Sequence, residues 1–257
     1  MITAPLHAED YTTRYDEETH LKNDTELSGT VYIKETLHVP KGITLIVAPG
    51  TVIRCEHPDF CDDGNVNFSI EVEGNIIAQG TPENPITFTS ASDKYAYASG
   101  FGEIYITESE YAVFDNVKFL YSHWGLHVHD SNVTVMNCEF KDVFGGIRFK
   151  GDKLIIKNSS FINNDTSLRF WQSAPEVTGN TFTNVKTALF IREKVVGPAI
   201  KRNDFSGVTD YCIKLGELQD MDITIHENNF GEISDDAIAD KIFDHADEDY
   251  IGKVIIK

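Results

Sequence analysis

Phenylalanine recurs along this chain at a nearly constant interval. It stands at Phe119, Phe140, Phe161, Phe182, Phe205 and Phe230, at spacings of 21, 21, 21, 23 and 25 residues. Five residues before each lies a second apolar side chain: Phe114, Val135, Ile156, Val177, Ile200 and Ile225. An asparagine also precedes each phenylalanine, three residues back at Asn116, Asn137 and Asn158, then two back at Asn180, Asn203 and Asn228. About seven residues after each phenylalanine another apolar alternation begins, as in Leu126-His127-Val128, Ile147-Arg148-Phe149, Leu168-Arg169-Phe170 and Leu189-Phe190-Ile191. Several features locked to one period mean a repeated unit that buries its apolar side only by stacking on its neighbours.

The local pattern decides between architectures. Helical repeats need amphipathic stretches of about ten residues or more, and none appears between residues 100 and 230. Short segments alternate apolar with polar there, broken by Gly, Asn and Asp. The leucine ladder of a leucine-rich repeat is missing as well. The reading is all-β: a single-stranded right-handed parallel β-helix, a solenoid of about ten rungs of 21–25 residues with a short C-terminal capping helix. Rungs stack at the ordinary interstrand spacing of about 4.8 Å. Phenylalanines and aliphatics then stack inside, and the asparagines stack at a bend and hydrogen-bond along the axis. The expected organisation is residues 1–26 as an extension or cap, 27–234 as the β-helix, and 235–257 as a cap and last strand. Ser234 is the expected N-cap of a helix from Asp235 to Phe243.

A family resemblance supports the handedness. Leu27-Ser28-Gly29-Thr30 is followed by Leu37-His38-Val39-Pro40-Lys41-Gly42-Ile43-Thr44-Leu45 and Pro49-Gly50-Thr51-Val52-Ile53. Then come Glu73-Gly74-Asn75-Ile76-Ile77-Ala78-Gln79-Gly80-Thr81 and Pro85-Ile86-Thr87-Phe88-Thr89-Ser90. This order resembles the opening rungs of secreted and cell-surface right-handed β-helix repeat proteins, the pectate-lyase-like superfold. Asp236 to Asp244 with Gly252-Lys253-Val254 is similar to the segment that closes such domains. The resemblance implies an extracellular, periplasmic or cell-surface location. It implies no particular activity, because lyases, hydrolases, epimerases, adhesins and inert scaffolds share the architecture.

Charge narrows the partners. With 22 basic and 41 acidic residues the net charge is −19, which disfavours nucleic acid and anionic membranes. No apolar run approaches the ~20 residues of a membrane-spanning helix. Met1 to Ala8, followed by Glu9-Asp10, reads either as the small-residue end of a signal peptide or as an ordinary tail. Cys55 and Cys61 bracket a short loop and are placed to form a local disulfide in an oxidising compartment. Cys138 and Cys212 lack CxxC spacing, and no cofactor motif is present.

Strand alternation places the candidate site. If Ile104, Ile106, Leu126, Val128, Ile147, Phe149, Leu168, Phe170, Leu189 and Ile191 face inward, their neighbours face out. Tyr105, His127, Arg148, Arg169 and Phe190 then form one outer column, with Thr107, His129, Lys150, Trp171 and Arg192 beside it. Like charges on adjacent strands cost about 0.2–1 kcal/mol, so the fold itself gains nothing from Arg148 above Arg169. Guanidinium groups grip carboxylates bidentately, and aromatic rings take the apolar face of a sugar. The face therefore reads as a groove for an acidic glycan or a contact for another surface protein. The alternative is solvated long side chains neutralised by Glu108, Asp130 and Glu193.

Other candidates are weaker. Alternate outward positions lie about 6.5 Å apart, near the separation of an inverting glycosidase pair, so Glu71 and Glu73 are candidate catalytic carboxylates. Arg169, with Arg148 and Lys150, is a candidate base for a polysaccharide lyase. His127 and His129 point the same way and with a third ligand would hold a metal. Asp244, Asp247 and Asp249 are candidate calcium ligands, although their run lacks the glycine and glutamate of an EF-hand and also reads as a solvated turn. Three functions remain open: a polysaccharide- or partner-binding protein, a lyase or glycoside hydrolase using the same face, and a structural scaffold.

Overall fold

Apolar alternation over a few residues, ended by residues that tolerate left-handed backbone, makes most coils three short strands joined by corners, and in two coils the first two faces run on as Thr181–Arg192 and Asp204–Leu215. The computed structural model describes residues 11–56, 68–151 and 153–257. A representative coil runs Val117–Leu120, Trp124–His129 and Asn132–Met136. The next begins at Glu139–Lys141 and stacks in parallel register, Phe140 on Phe119 and Ile147 on Leu126. The third face holds ten strands, from Thr25–Leu27 to Val254–Ile256, so the chain winds about nine turns. This is the all-β parallel solenoid that the period predicts.

The corners explain the asparagines, and they show two roles where the sequence suggested one shifting ladder. Asn116, Asn137 and Asn158 sit at φ of 50–53°, in the left-handed region, and turn the chain. Asparagine and glycine pay least there, and Gly179 takes the same corner one coil on. Asn180, Asn203 and Asn228 stand one position later and point inward. Asn180 Nδ2 donates to Asn203 Oδ1 at 3.1 Å, and Asn203 Nδ2 to Asn228 Oδ1 at 3.0 Å. Only this second set is the axial amide ladder. A further outer ladder runs Asn184 to Asn163 to Asp142, at 2.8 and 2.7 Å.

Inside, the phenylalanine rings stack from Phe88 to Phe230 with centroids 4.5–5.6 Å apart, one coil further than the six-residue series. The rings lie close over the neighbouring backbone. A Cβ added at Gly125 would stand 2.7 Å from the Phe140 ring, and one at Gly146 2.8 Å from Phe161. The longer coils of 23 and 25 residues put most of their extra length at the corner leading to the third face, after Arg192 and after Leu215.

Two boundaries differ from the sequence reading. Thr13–Tyr15, Thr19–His20 and Thr25–Leu27 pair with Thr30–Ile33, Leu37–Val39 and Thr44–Val47, so residues 13–26 are a rung rather than an extension. A rung needs only its inward positions apolar, and here Tyr15, Leu21 and Leu27 supply them among polar neighbours. At the other end Ser234 Oγ accepts from Ala237 N at 3.2 Å and caps a helix, Asp235–Ala239. The helix stops short of Phe243 because Ile242–Phe243 rejoins the second face against Ile213 and Lys214. The N-terminal segment 1–10 and Cys61 lie outside the described residues. Cys55 is a buried core thiol, pushed by burial up to about 12.

Candidate functional site

The ten inward residues named above are all buried, so the alternation is as the sequence indicates. Strand pairing aligns the residues between them into one outer ladder: His38, Glu71, Tyr105, His127, Arg148, Arg169, Phe190 and Lys214. Thr107, His129, Lys150, Trp171 and Arg192 form the second.

The first part of the site is a chain of hydrogen bonds. Glu103 is 2% exposed, and its two carboxylate oxygens lie 2.6 Å from His123 Nδ1 and 2.7 Å from His127 Nδ1. His127 Nε2 lies 3.1 Å from His129 Nε2, and His129 Nδ1 lies 3.5 Å from the Tyr105 hydroxyl. Phe68 covers this group, stacked on Tyr105 at 4.4 Å and edge-on to His127. Burial alone would raise Glu103, but the hydrogen bonds and charges of His123 and His127 bring it down to about 2. His129 is held low by burial first, then by the charges of His127 and Arg148. Two proton arrangements satisfy every link. In one, Tyr105 donates to His129, His129 to neutral His127, and His127 to Glu103. In the other, protonated His127 donates at both ends and His129 donates to Tyr105. The array is therefore able to pass a proton between Tyr105 and the Glu103–His127 pair.

The second part is cationic. Among the described residues neither Arg148 nor Arg169 has a carboxylate within ion-pair distance, and the Nε of each is buried without a hydrogen-bond partner. Both guanidinium carbons lie 5.8 Å from the Trp171 ring centroid. Arg148 also faces Trp124 at 5.9 Å, and Arg169 faces Phe190 at 5.5 Å. Burial, then the charges of Arg148 and Arg192, hold Arg169 below its ordinary value, with Glu193 and Glu217 acting the other way. Of the acids expected to neutralise the stripe, Glu108 pairs with Lys41, Asp130 makes no ion pair among the described residues, and Glu193 pairs within the stripe, with Arg192 at 2.6 Å, leaving Arg148 and Arg169 without one. Arg192 also meets Glu217 at 3.1 Å, so it is less free than its neighbours to take a ligand.

The family model for the right handed beta helix region matches residues 102–240, more than half of the chain and the stretch that carries the ladders from Tyr105 and Thr107 onward. The chain belongs to the right-handed β-helix family. No curated protein and no solved structure matches it.

In this β-helix the remaining candidates fall apart or change role. Glu71 stacks directly beside Tyr105 but is tied to His38 Nδ1 at 2.9 Å, while Glu73 is exposed beyond the strand end. His127 points outward as expected, yet at 8% exposure it is a link in the relay rather than a ligand contact. His127 and His129 bond to each other, and among the described residues no third ligand joins them. In the acidic run, Asp244 accepts from Ala246 N at 2.9 Å and Val254 N at 2.8 Å, and Asp247 accepts from Asp244 N at 3.0 Å. Those carboxylates hold the β-helix's last turn together, and they do not converge with Asp249 on a common point. Lys150 flanks the arginines on the second ladder.

Glu103 and His123 are absent from the sequence-based site. Glu103 had a signal: it stands two residues before Tyr105, in the same outward alternation. His123 sits at a corner, where no periodic rule points.

Proposed function

We propose that this β-helix is an extracellular or envelope protein that binds an acidic polysaccharide along its outer ladder. Arg148 and Arg169 grip carboxylates on the polymer, and Trp171 and Tyr105 take the faces of sugar rings. The carrying observation is the pair of half-buried, unpartnered arginines between aromatic rings in a chain of net charge −19. A fold under no functional demand would place acids beside them, as it does beside Arg192. The rung spacing of about 4.8 Å also resembles the length of one sugar unit in an extended chain, so arginines on successive rungs suit successive uronate residues.

A second reading has its own support. The Tyr105–His129–His127–Glu103 relay adjoins the arginines and would supply the base for β-elimination from a uronate whose carboxylate Arg148 holds. Titration calorimetry against a panel of uronate-containing and neutral polysaccharides tests both readings. The binding reading expects uronate-selective affinity that weakens with salt and drops at least tenfold in Arg148→Ala/Arg169→Ala. Release of unsaturated ends, lost in His129→Ala, would convert the binder into a lyase. Equal affinity for neutral glycans, or none for any, overturns both.

A further inference from the structure

The outer ladder that carries the arginines starts, on earlier rungs, with residues of opposite character. His20 stacks on His38, and His38 on Glu71, by strand pairing. Glu18 reaches over this end: its Oε1 lies 3.0 Å from His38 Nε2 and 3.5 Å from His20 Nε2. Among the described residues this is the one place where three such ligand atoms gather, all within 4.8 Å of one another. The imidazole rings lie face to face, with centroids 4.1 Å apart and planes 8° from parallel, so the exposed His20 ring must rotate to aim its in-plane lone pair at an ion held by His38 and Glu18. Beside them opens a cavity of about 270 Å³ lined by His20, His38, Val39, Pro40, Glu71 and Glu73.

The contacts of His38 are the telling part. Its Nδ1 lies 2.9 Å from Glu71 Oε2, a distance at which a proton on Nδ1 is donated to the carboxylate. Its Nε2 is buried and makes no hydrogen bond, although the Glu18 oxygen is only 3.0 Å away. With Nδ1 facing Glu71, Nε2 is left facing the Glu18 oxygen, a gap that either a second ring proton or a metal ion would bridge. A histidine that donates one ring N–H to a carboxylate and offers the other nitrogen is the usual arrangement of a metal ligand with its orienting partner. With metal–ligand bonds of about 2.0–2.2 Å, neighbouring ligand atoms sit ~3.0–3.5 Å apart, as Glu18 does from both histidines. Two imidazoles and one carboxylate suit zinc and its transition-metal neighbours, whereas calcium and magnesium prefer an all-oxygen shell.

We propose that Glu18, His20 and His38 bind a divalent transition-metal ion of the zinc class, with Glu71 as the positioning residue for His38. The ligands come from two successive rungs and the positioning residue from a third, so the ion clips these rungs together. The cavity lined by His20 and His38 leaves room for a further ligand such as water. The site lies on earlier rungs of the same ladder, with Glu71 beside Tyr105, and does not depend on the polysaccharide reading.

The test uses the full chain, stripped with a chelator and titrated calorimetrically with zinc chloride alone. One equivalent should bind at micromolar concentration or below and raise the thermal midpoint. His38→Ala and His20→Ala should each weaken binding at least a hundredfold, and Glu71→Gln ten- to a hundredfold. Glu18→Gln, at a side chain 65% exposed, gives the same loss without threatening the fold if His38→Ala proves unstable. Calcium should not compete, and His129→Ala should leave zinc affinity unchanged. Absence of stoichiometric binding below millimolar zinc overturns the proposal. So does binding that survives Glu18→Gln and His38→Ala, or that disappears in His129→Ala instead.

Discussion

Replacing Glu103 by glutamine keeps the shape of a buried side chain and removes its charge. Both carboxylate oxygens face histidine nitrogens, at 2.6 and 2.7 Å, so the amide can accept from one ring but must present N–H to the other. The carboxyl is held at about 2 in the folded chain against an ordinary value of 4.5, which by linkage corresponds to about 3 kcal/mol of stability. Because the folded value is the depressed one, this stability is fully present above pH ~4.5 and is lost as pH falls towards ~2. Urea unfolding of the wild type and Glu103→Gln between pH 2 and 8 measures it. The other acids of a chain with 41 carboxylates also titrate in this range, so the informative quantity is the difference between the two proteins at each pH. That difference should be about 3 kcal/mol near neutrality and close to zero at pH 2. A difference that is flat across the range, or absent at neutrality, would refute the ionised Glu103–histidine cluster.

Two further substitutions probe the core and the face. Phe161→Ala, fully buried between Phe140 at 4.9 Å and Phe182 at 5.1 Å, should cost about 3–5 kcal/mol in urea unfolding, and Phe161→Asp should leave no folded population. A loss under ~1 kcal/mol for the alanine variant would mean the ring stack is not the structural spine. Arg148→Ala should change stability by less than ~1 kcal/mol, since relief of repulsion from Arg169 offsets lost cation–π contact with Trp124 and Trp171. A loss above ~2 kcal/mol, read from the same unfolding curves, would reveal a buried partner for its charge.

The fold was legible because core packing repeats and the period reports it directly. Ile104 to Ile191 alternate strictly, so the inward and outward sets follow from one choice of register. What escaped the sequence did so for physical reasons. Residues 13–27 contribute only Tyr15, Leu21 and Leu27 to the core, too few to stand out from polar neighbours. The asparagines of the corner and of the inner ladder differ by one residue, and in sequence that difference looks like drift. Glu103 follows an excursion from the solenoid, and its pairing with Phe68 carries a register irregularity, so the strand start is blurred. His123 joins Glu103 from a corner. The relay is a tertiary meeting that no single strand encodes.

The two ends of the outer ladder carry opposite charge, and the spacing of the rungs decides whether they communicate. Glu71 and Arg148 are three rungs apart on one ladder, about 14 Å at 4.8 Å per rung. The Debye length at physiological salt is about 8 Å, and near 0.01 M salt it is about 30 Å. A zinc ion held at Glu18, His20 and His38 adds positive charge at the acidic end and should strengthen polyanion binding at Arg148 and Arg169 only when salt is low. The expected result is a less than twofold effect of zinc on uronate-polymer affinity at physiological salt and a clear gain in dilute buffer, both measured by calorimetry. The Tyr105–His129–His127–Glu103 array lies between the two ends, with Tyr105 paired beside Glu71 and His127 beside Arg148. If the zinc effect were equally large at both salt concentrations, screening would not be the mediator. Coupling would then run through that array, and His129→Ala would abolish it.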